Sequence, residues 1–173
     1  FIPAVTATYS GWTAFRSPST GNTIDFSTAI LSIGGIDFNG GGEWTIMSDV
    51  DLALGFGGMQ IIKGTLNTNG FTLDVSGLQS FGTETREMNL GNSTINCMML
   101  WLDPLNLTFN AGTSTINIEN NWFDGRGFTY YDVNFPLAWP ADVFIAGSNT
   151  FHVLGLSDAY VTGVVFAAGD MNT

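Results

Sequence analysis

The sequence predicts an all-β chain wound as a right-handed parallel β-helix, a β-solenoid with coils of about 21–22 residues. Three observations carry the prediction. A short phrase returns as Thr72-Leu73-Asp74-Val75, Thr94-Ile95-Asn96-Cys97 and Thr115-Ile116-Asn117-Ile118, at spacings of 22 and then 21 residues. Each copy follows a glycine, Gly70, Gly91 or Gly112, as the sharp corners of a coil require. Within and around the copies, apolar and polar residues alternate with period 2, the pleat of a half-buried strand, and no window shows a helical period with start and stop signals.

Taken in order, residues 1–20 read as a lead-in strand or cap, with Pro3 and Pro18 as punctuation and Trp12 and Phe15 as anchors. The β-helix domain is expected over residues 21–168, opening with Gly21-Asn22-Thr23-Ile24-Asp25-Phe26 and continuing 22 residues later at Thr45-Ile46. Ala29 to Phe38 reads as strand, turn at Gly34-Gly35, strand. The longer gap between Thr45 and Thr72 suggests an insertion near Leu54 to Gly58. In the central copies Met88, Leu90, Ile95, Cys97, Leu105, Leu107, Phe109, Ile116 and Ile118 should point inward, and Asn89, Thr94, Asn96, Asn106, Thr108, Asn110, Thr115, Asn117 and Glu119 outward. Beyond them come a turn at Gly125-Arg126-Gly127, a strand from Phe128 to Phe135, a return of the phrase at Gly147 to Val153, a last strand from Tyr160 to Phe166 and a tail over 169–173.

Length suggests about eight coils stacked at ~4.8 Å, a prism roughly 40 Å tall with columns of Ile, Leu, Val and Phe inside and ladders of Thr and Asn outside. The alternative is a β-sandwich or jelly roll, which also alternates over short strands but does not repeat a phrase at fixed period.

Composition narrows the function. Apolar residues make up 45% and charged residues only 11%, a neutral, hydrogen-bonding surface of the kind found in long-lived extracellular β proteins. The net charge of −11 with no basic run speaks against nucleic acid and against anionic membrane surfaces. No stretch reaches the length of a membrane span and no leader pattern opens the chain; a start at Phe1 suggests a segment of something longer or a processed product. The one cysteine, Cys97, excludes a disulfide framework and a cysteine zinc cluster, and its column with Val75 and Ile118 makes it a buried small hydrophobe.

The runs Asn106 to Ile116 and Phe123 to Phe135, with Glu43-Trp44-Thr45-Ile46, Gly64 to Gly70 and Gly147 to Phe151, resemble the text of pectin-lyase-like parallel β-helices used as phage tail fibres, tailspikes or bacterial surface adhesins. The resemblance spans roughly Gly40 to Phe151. It implies a β-helix on a virion or cell surface; its phrases specify coils and no reaction.

Candidate chemistry is sparse. His152 is expected on the outer ladder of Asp25, Asp74, Asn96 and Asn117, without a nucleophile to serve. Asp49 with Asp51, and Glu84 with Glu87, are the only close acidic pairs, and two carboxylates across a cleft are what glycoside hydrolysis requires. A lyase base would have to come from Arg16, Lys63, Arg86 or Arg126, none of which has an acid-rich cluster beside it in the sequence. No cofactor or metal is implied. Cys97-Met98-Met99-Leu100-Trp101-Leu102 breaks the alternation, so the outer face of that strand needs cover, and Met98, Met99, Leu100, Trp101, Leu102, Leu137 and Trp139 are the expected subunit contact. Trp122, Asp124, Arg126, Tyr130 and Trp139 combine flat rings with polar groups and are the expected glycan contacts. The sequence thus points to a non-catalytic, homo-oligomeric fibre or adhesin component, a trimer or a filament, at an extracellular or virion surface. A polysaccharide-degrading tailspike and a self-stacking extracellular filament are the alternatives.

Overall fold

The computed structural model of the chain describes residues 6–8, 11–27, 30–32, 34–52, 58–156 and 161–166. The described strands, in chain order, are β1 (Thr6–Thr8), β2 (Trp12–Phe15), β3 (Asn22–Ile24), β4 (Ile30–Ser32), β5 (Gly35–Ile46), β6 (Val50–Asp51), β7 (Gly58–Asn67), β8 (Thr72–Ser80), β9 (Arg86–Asn89), β10 (Thr94–Leu102), β11 (Leu107–Asn110), β12 (Thr115–Ile118), β13 (Trp122–Asp124), β14 (Thr129–Phe135), β15 (Ala141–Ala146), β16 (Thr150–Leu156) and β17 (Val161–Phe166). The pairings among them are parallel, and they stack as a β-solenoid of about six turns at a spacing of about 22 residues. Length suggested about eight; the expected tail at 169–173 and the start of the lead-in lie outside the described residues.

Each coil presents three faces. On the first, Trp44, Leu66, Met88 and Phe109 lie in one column. On the second, Val50, Leu73, Ile95, Ile116, Val133 and Leu154 do. On the third, Ile36, Met59, Leu78 and Leu100 align. Inward positions are buried, including Phe38, Ile61, Leu73, Ile95, Cys97 and Ile116 at 0% exposure. Burying these side chains is the main favourable term, and no single coil buries them alone. The lead-in is already part of the stack, since Trp12 to Phe15 pair with Gly35 to Phe38.

Outward asparagines complete the stacking. Asn110 donates from Nδ2 to Asn89 Oδ1 (2.6 Å), Asn89 to Asn67 (2.8 Å) and Asn67 to Glu43 Oε1 (2.8 Å). On the second face Asn134 donates to Asn117, Asn117 to Asn96 and Asn96 to Asp74, at 3.1, 2.6 and 2.5 Å. Both chains of amides end on a carboxylate. A carboxylate can only accept, so it sets the direction of every amide above it. At the corners, Gly112 has φ +62, and a Cβ there would come within 2.3 Å of the Gly91 carbonyl oxygen, which explains glycine ahead of the phrase.

Several sequence expectations change in three dimensions. Thr45 pairs with Thr23 and Asn67 on the first face, while Thr72 lies on the second. The gap between Thr45 and Thr72 therefore compares two faces and requires no insertion; residues 53–57 themselves lie outside the description. The second-face offset is 21 residues from Asn96 to Asn117 but only 17 from Asn117 to Asn134. The corner Ala111-Gly112-Thr113-Ser114 has no counterpart in β14, where Tyr131 runs directly into Asp132. His152 accordingly sits on the first face, stacked on Tyr131 at 4.1 Å and 3.0 Å from Asp132, and not on the ladder of Asp74 and Asn96. Leu105, expected inward, is 53% exposed in the turn before β11.

Candidate functional site

The site lies on the third face, where one outward column changes character along the axis. Asp37, Gln60, Gln79 and Trp101 occupy successive rungs. Trp122 lies 21 residues after Trp101 and lines a groove with it; in a separate three-stranded sheet it aligns with Phe144 and then Val165. The first rungs are polar; the last are aromatic and apolar. The broken alternation in β10 explains the change: Leu100 and Leu102 fill the core at 7% and 0% exposure, so Met98, Met99 and Trp101 face out at 42%, 40% and 50%. Trp122 is 57% exposed, and its ring is stacked on Phe144 at 5.8 Å.

Two shallow grooves flank Trp101. One, of about 610 Å³, is lined by Gln79, Phe81, Met99, Trp101, Asp103 and Arg126. The other, of about 450 Å³, is lined by Met98, Met99, Leu100, Trp101, Asn120, Trp122, Asp124 and Arg126. Met99, Trp101 and Arg126 belong to both, so the expected subunit contact and the expected glycan contact meet on one surface.

Arg126 is presented by a hydrogen-bonded turn. Its φ is +54, a left-handed conformation that costs a non-glycine residue strain and tends to persist where the surroundings impose it. Its Nε lies 2.8 Å from Asp124 Oδ2, and its backbone N–H donates to Asp124 Oδ1 at 3.2 Å. From below, the Tyr130 hydroxyl donates to the Gly125 carbonyl (2.9 Å), and Asn149, itself buried, accepts from the Gly127 N–H (3.0 Å). Burial raises the Tyr130 pKa, with the Asp124 charge adding to it, so this hydroxyl stays protonated as a donor.

The expected site residues therefore divide. Met98, Met99, Trp101, Trp122, Asp124 and Arg126 line the grooves. Leu100 reaches the second groove only from the core beneath it, Leu102 belongs to the core, and Leu137 is buried at 2%, because each takes an inward position. Tyr130 is a core residue at 1% exposure, and its hydroxyl supports the Arg126 turn from below. Trp139 is 51% exposed but lines neither groove. Gln79, Phe81, Asp103 and Asn120 were missed. The coil period reaches two of them: Gln79 lies one coil before Trp101, and Asn120 one coil after Met99.

Other candidates have structural employment. Arg86 is fully buried and donates to the carbonyls of Glu84 (3.2 Å), Asp103 (3.4 Å) and Leu105 and to Ser80 Oγ (3.0 Å). Desolvation lowers its pKa, against the opposing pull of Asp103. Cys97 is buried, and desolvation pushes its thiol up to about 12, so it is no nucleophile in the folded chain. Glu84 pairs with Lys63 at 3.0 Å and Glu87 accepts from Asn89 at 3.1 Å. Asp49 and Asp51 do share a groove, of about 460 Å³, with Phe26 and Phe71, and Asp49 accepts from the Thr72 N–H at 2.8 Å. Among the described residues no three His, Cys, Asp or Glu side chains are grouped to hold a metal.

No protein-family model matches this chain, and no curated protein or solved structure matches it. What it does must be argued from the site itself.

Proposed function

We propose that this solenoid is a non-catalytic structural component of an extracellular or virion fibre or adhesin, working through its third face by self-association and by attachment to a surface. The observation that carries the reading is the run of exposed Trp101, Trp122 and Val165, with half-buried Phe144 between the last two, on one side of a prism whose other two faces carry asparagine ladders. Its far end, where half-buried Phe144 meets exposed Val165 and Phe166, suits a second copy of the chain; the Trp101 end, flanked by amides and carboxylates, suits a ligand. The likeness of the coil text to pectin-lyase-like tail fibres, tailspikes and adhesins supports the same reading. Light scattering on the chromatographed chain tests it. A discrete oligomer is expected, and Val165→Asp, which sets a charge in the apolar end, should reduce it to monomers. A monomeric parent chain would overturn the self-association.

The shared groove of Asp49 and Asp51 favours one second reading, hydrolysis of a polysaccharide there. Release of new reducing ends from a polysaccharide panel, abolished by Asp51→Asn, would establish it in place of the first.

A further inference from the structure

We propose that the two grooves beside Trp101 form one binding site for an uncharged, linear oligosaccharide lying along the solenoid axis. This names the ligand of the attachment surface above and rests on that reading.

Four features of the surface converge on that chemistry. Trp101 and Trp122 hold flat rings half-exposed one coil apart, and flat aromatic faces pack well against the C–H faces of pyranose rings. Trp122 does not have to be ordered on binding, because it is already stacked on Phe144, and a pre-ordered side chain loses less entropy when the ligand arrives. Around the rings stand Gln79, Asp103, Asn120 and Asp124, which together offer the acceptors and amide donors that a ring of hydroxyls requires. Between the grooves stands Arg126, held left-handed at φ +54 and clamped by Asp124, Tyr130 and Asn149. Glycine would relax this turn; the position instead carries an arginine that lines both grooves.

Charge and direction specify the ligand further. The guanidinium is already paired with Asp124, and Asp103 leaves the grooves with one acid in excess, on a chain of net charge −11. An anionic chain would be repelled, so the sugar is uncharged. Successive rungs repeat every ~4.8 Å, close to the length of one pyranose residue in an extended chain. A linear ligand along the axis therefore meets Gln79 and Trp101 on adjacent rungs and then Trp122, which shares the second groove with Trp101. Along the asparagine ladders the side-chain amides are already hydrogen-bonded to one another.

Calorimetry and tryptophan fluorescence with cellohexaose, xylohexaose and mannohexaose, and with oligogalacturonate of the same length, test the proposal on the intact chain. Saturable binding of at least one neutral hexamer is expected. Trp101→Ala and Arg126→Gly should each weaken it about tenfold or more. Arg126→Gly suits the positive φ, so its circular dichroism and melting should match the parent. Binding of oligogalacturonate alone, binding untouched by both substitutions, or no binding to any hexamer would overturn the proposal. The two readings fail separately: an oligomer that Val165→Asp dissociates but that takes no hexamer overturns only the sugar site, and a monomer that binds a neutral hexamer overturns only the self-association.

Discussion

Replacing Arg86 by methionine should cost the fold more than any change at the third-face surface. Arg86 occupies a first-face position beside Gly64 and Leu107, points into the core and is fully buried. Methionine refills most of the stem volume, so cavity formation is a minor part of the loss. What disappears is the set of donors to the carbonyls of Glu84, Asp103 and Leu105 and to Ser80 Oγ. Hydrogen bonds to a charged partner contribute about 1.5–3 kcal/mol each, and acceptors left buried without a donor carry a desolvation cost. The four bonds share one side chain and do not sum, so the expected loss is about 3–5 kcal/mol. Arg86→Lys keeps the charge but not the planar fork, which spans Ser80, Asp103 and Leu105 together, and should lose about 1–3 kcal/mol. Urea unfolding read by circular dichroism and by tryptophan fluorescence measures both variants, and coincidence of the two curves checks that the coils melt as one unit. A methionine variant as stable as the parent would refute the account of Arg86 as the clamp of the 103–106 turn. Because that turn carries Asp103 into the groove, oligosaccharide affinity should fall along with stability.

Further expectations concern single groups. Asn96 donates to Asp74 and accepts from Asn117, so Asn96→Ala should cost about 1–2 kcal/mol, or about 2–4 °C in Tm per kcal/mol for a chain of this size; no change would show that the ladders contribute nothing. Desolvation raises the Asp37 pKa above its ordinary 3.8, outweighing the Gln60 hydrogen bond and the Arg16 charge. The folded chain therefore holds this proton more tightly than the unfolded one, a contribution complete below pH 3.8 and lost as pH rises through the folded value. Asp37→Asn should raise the urea midpoint at pH 7 relative to the parent and flatten its fall above pH 4; parallel pH profiles would contradict the sign. Cys97, buried and pushed up to about 12, should resist iodoacetamide at pH 8 in the folded chain and react once urea unfolds it; rapid alkylation of the native chain would contradict its burial.

Periodicity in the sequence established more about this chain than any single motif. The 22- and 21-residue returns of Thr-apolar-polar-apolar set the period, the parallel stacking and the burial of Leu73, Ile95, Cys97 and Ile116. These features were legible because the same local interaction recurs: an apolar column inside, an amide or hydroxyl ladder outside and a left-handed glycine at the corner. Legibility ended where one phrase serves two faces. Thr45-Ile46 and Thr72-Leu73 look alike because both faces demand the same alternation, and pattern alone does not distinguish one side of a prism from another.

The candidate site was half legible for the same reason. Apolar residues on both sides of β10 announced an uncovered surface, and composition singled out Trp122, Asp124 and Arg126. Only the stacking of coils decided that Trp101 and Arg126 share two grooves, that Gln79 and Asn120 flank them and that Tyr130 lies beneath the turn. Loss of the 111–114 corner in the later coils moved His152 to another face. Arg86, an unremarkable cation in the sequence, became the donor for a cluster of buried carbonyls. The physical reason is common to all of these. The alternation of a strand is set by its own residues, whereas the neighbours of a side chain one coil away depend on how many residues each corner consumes.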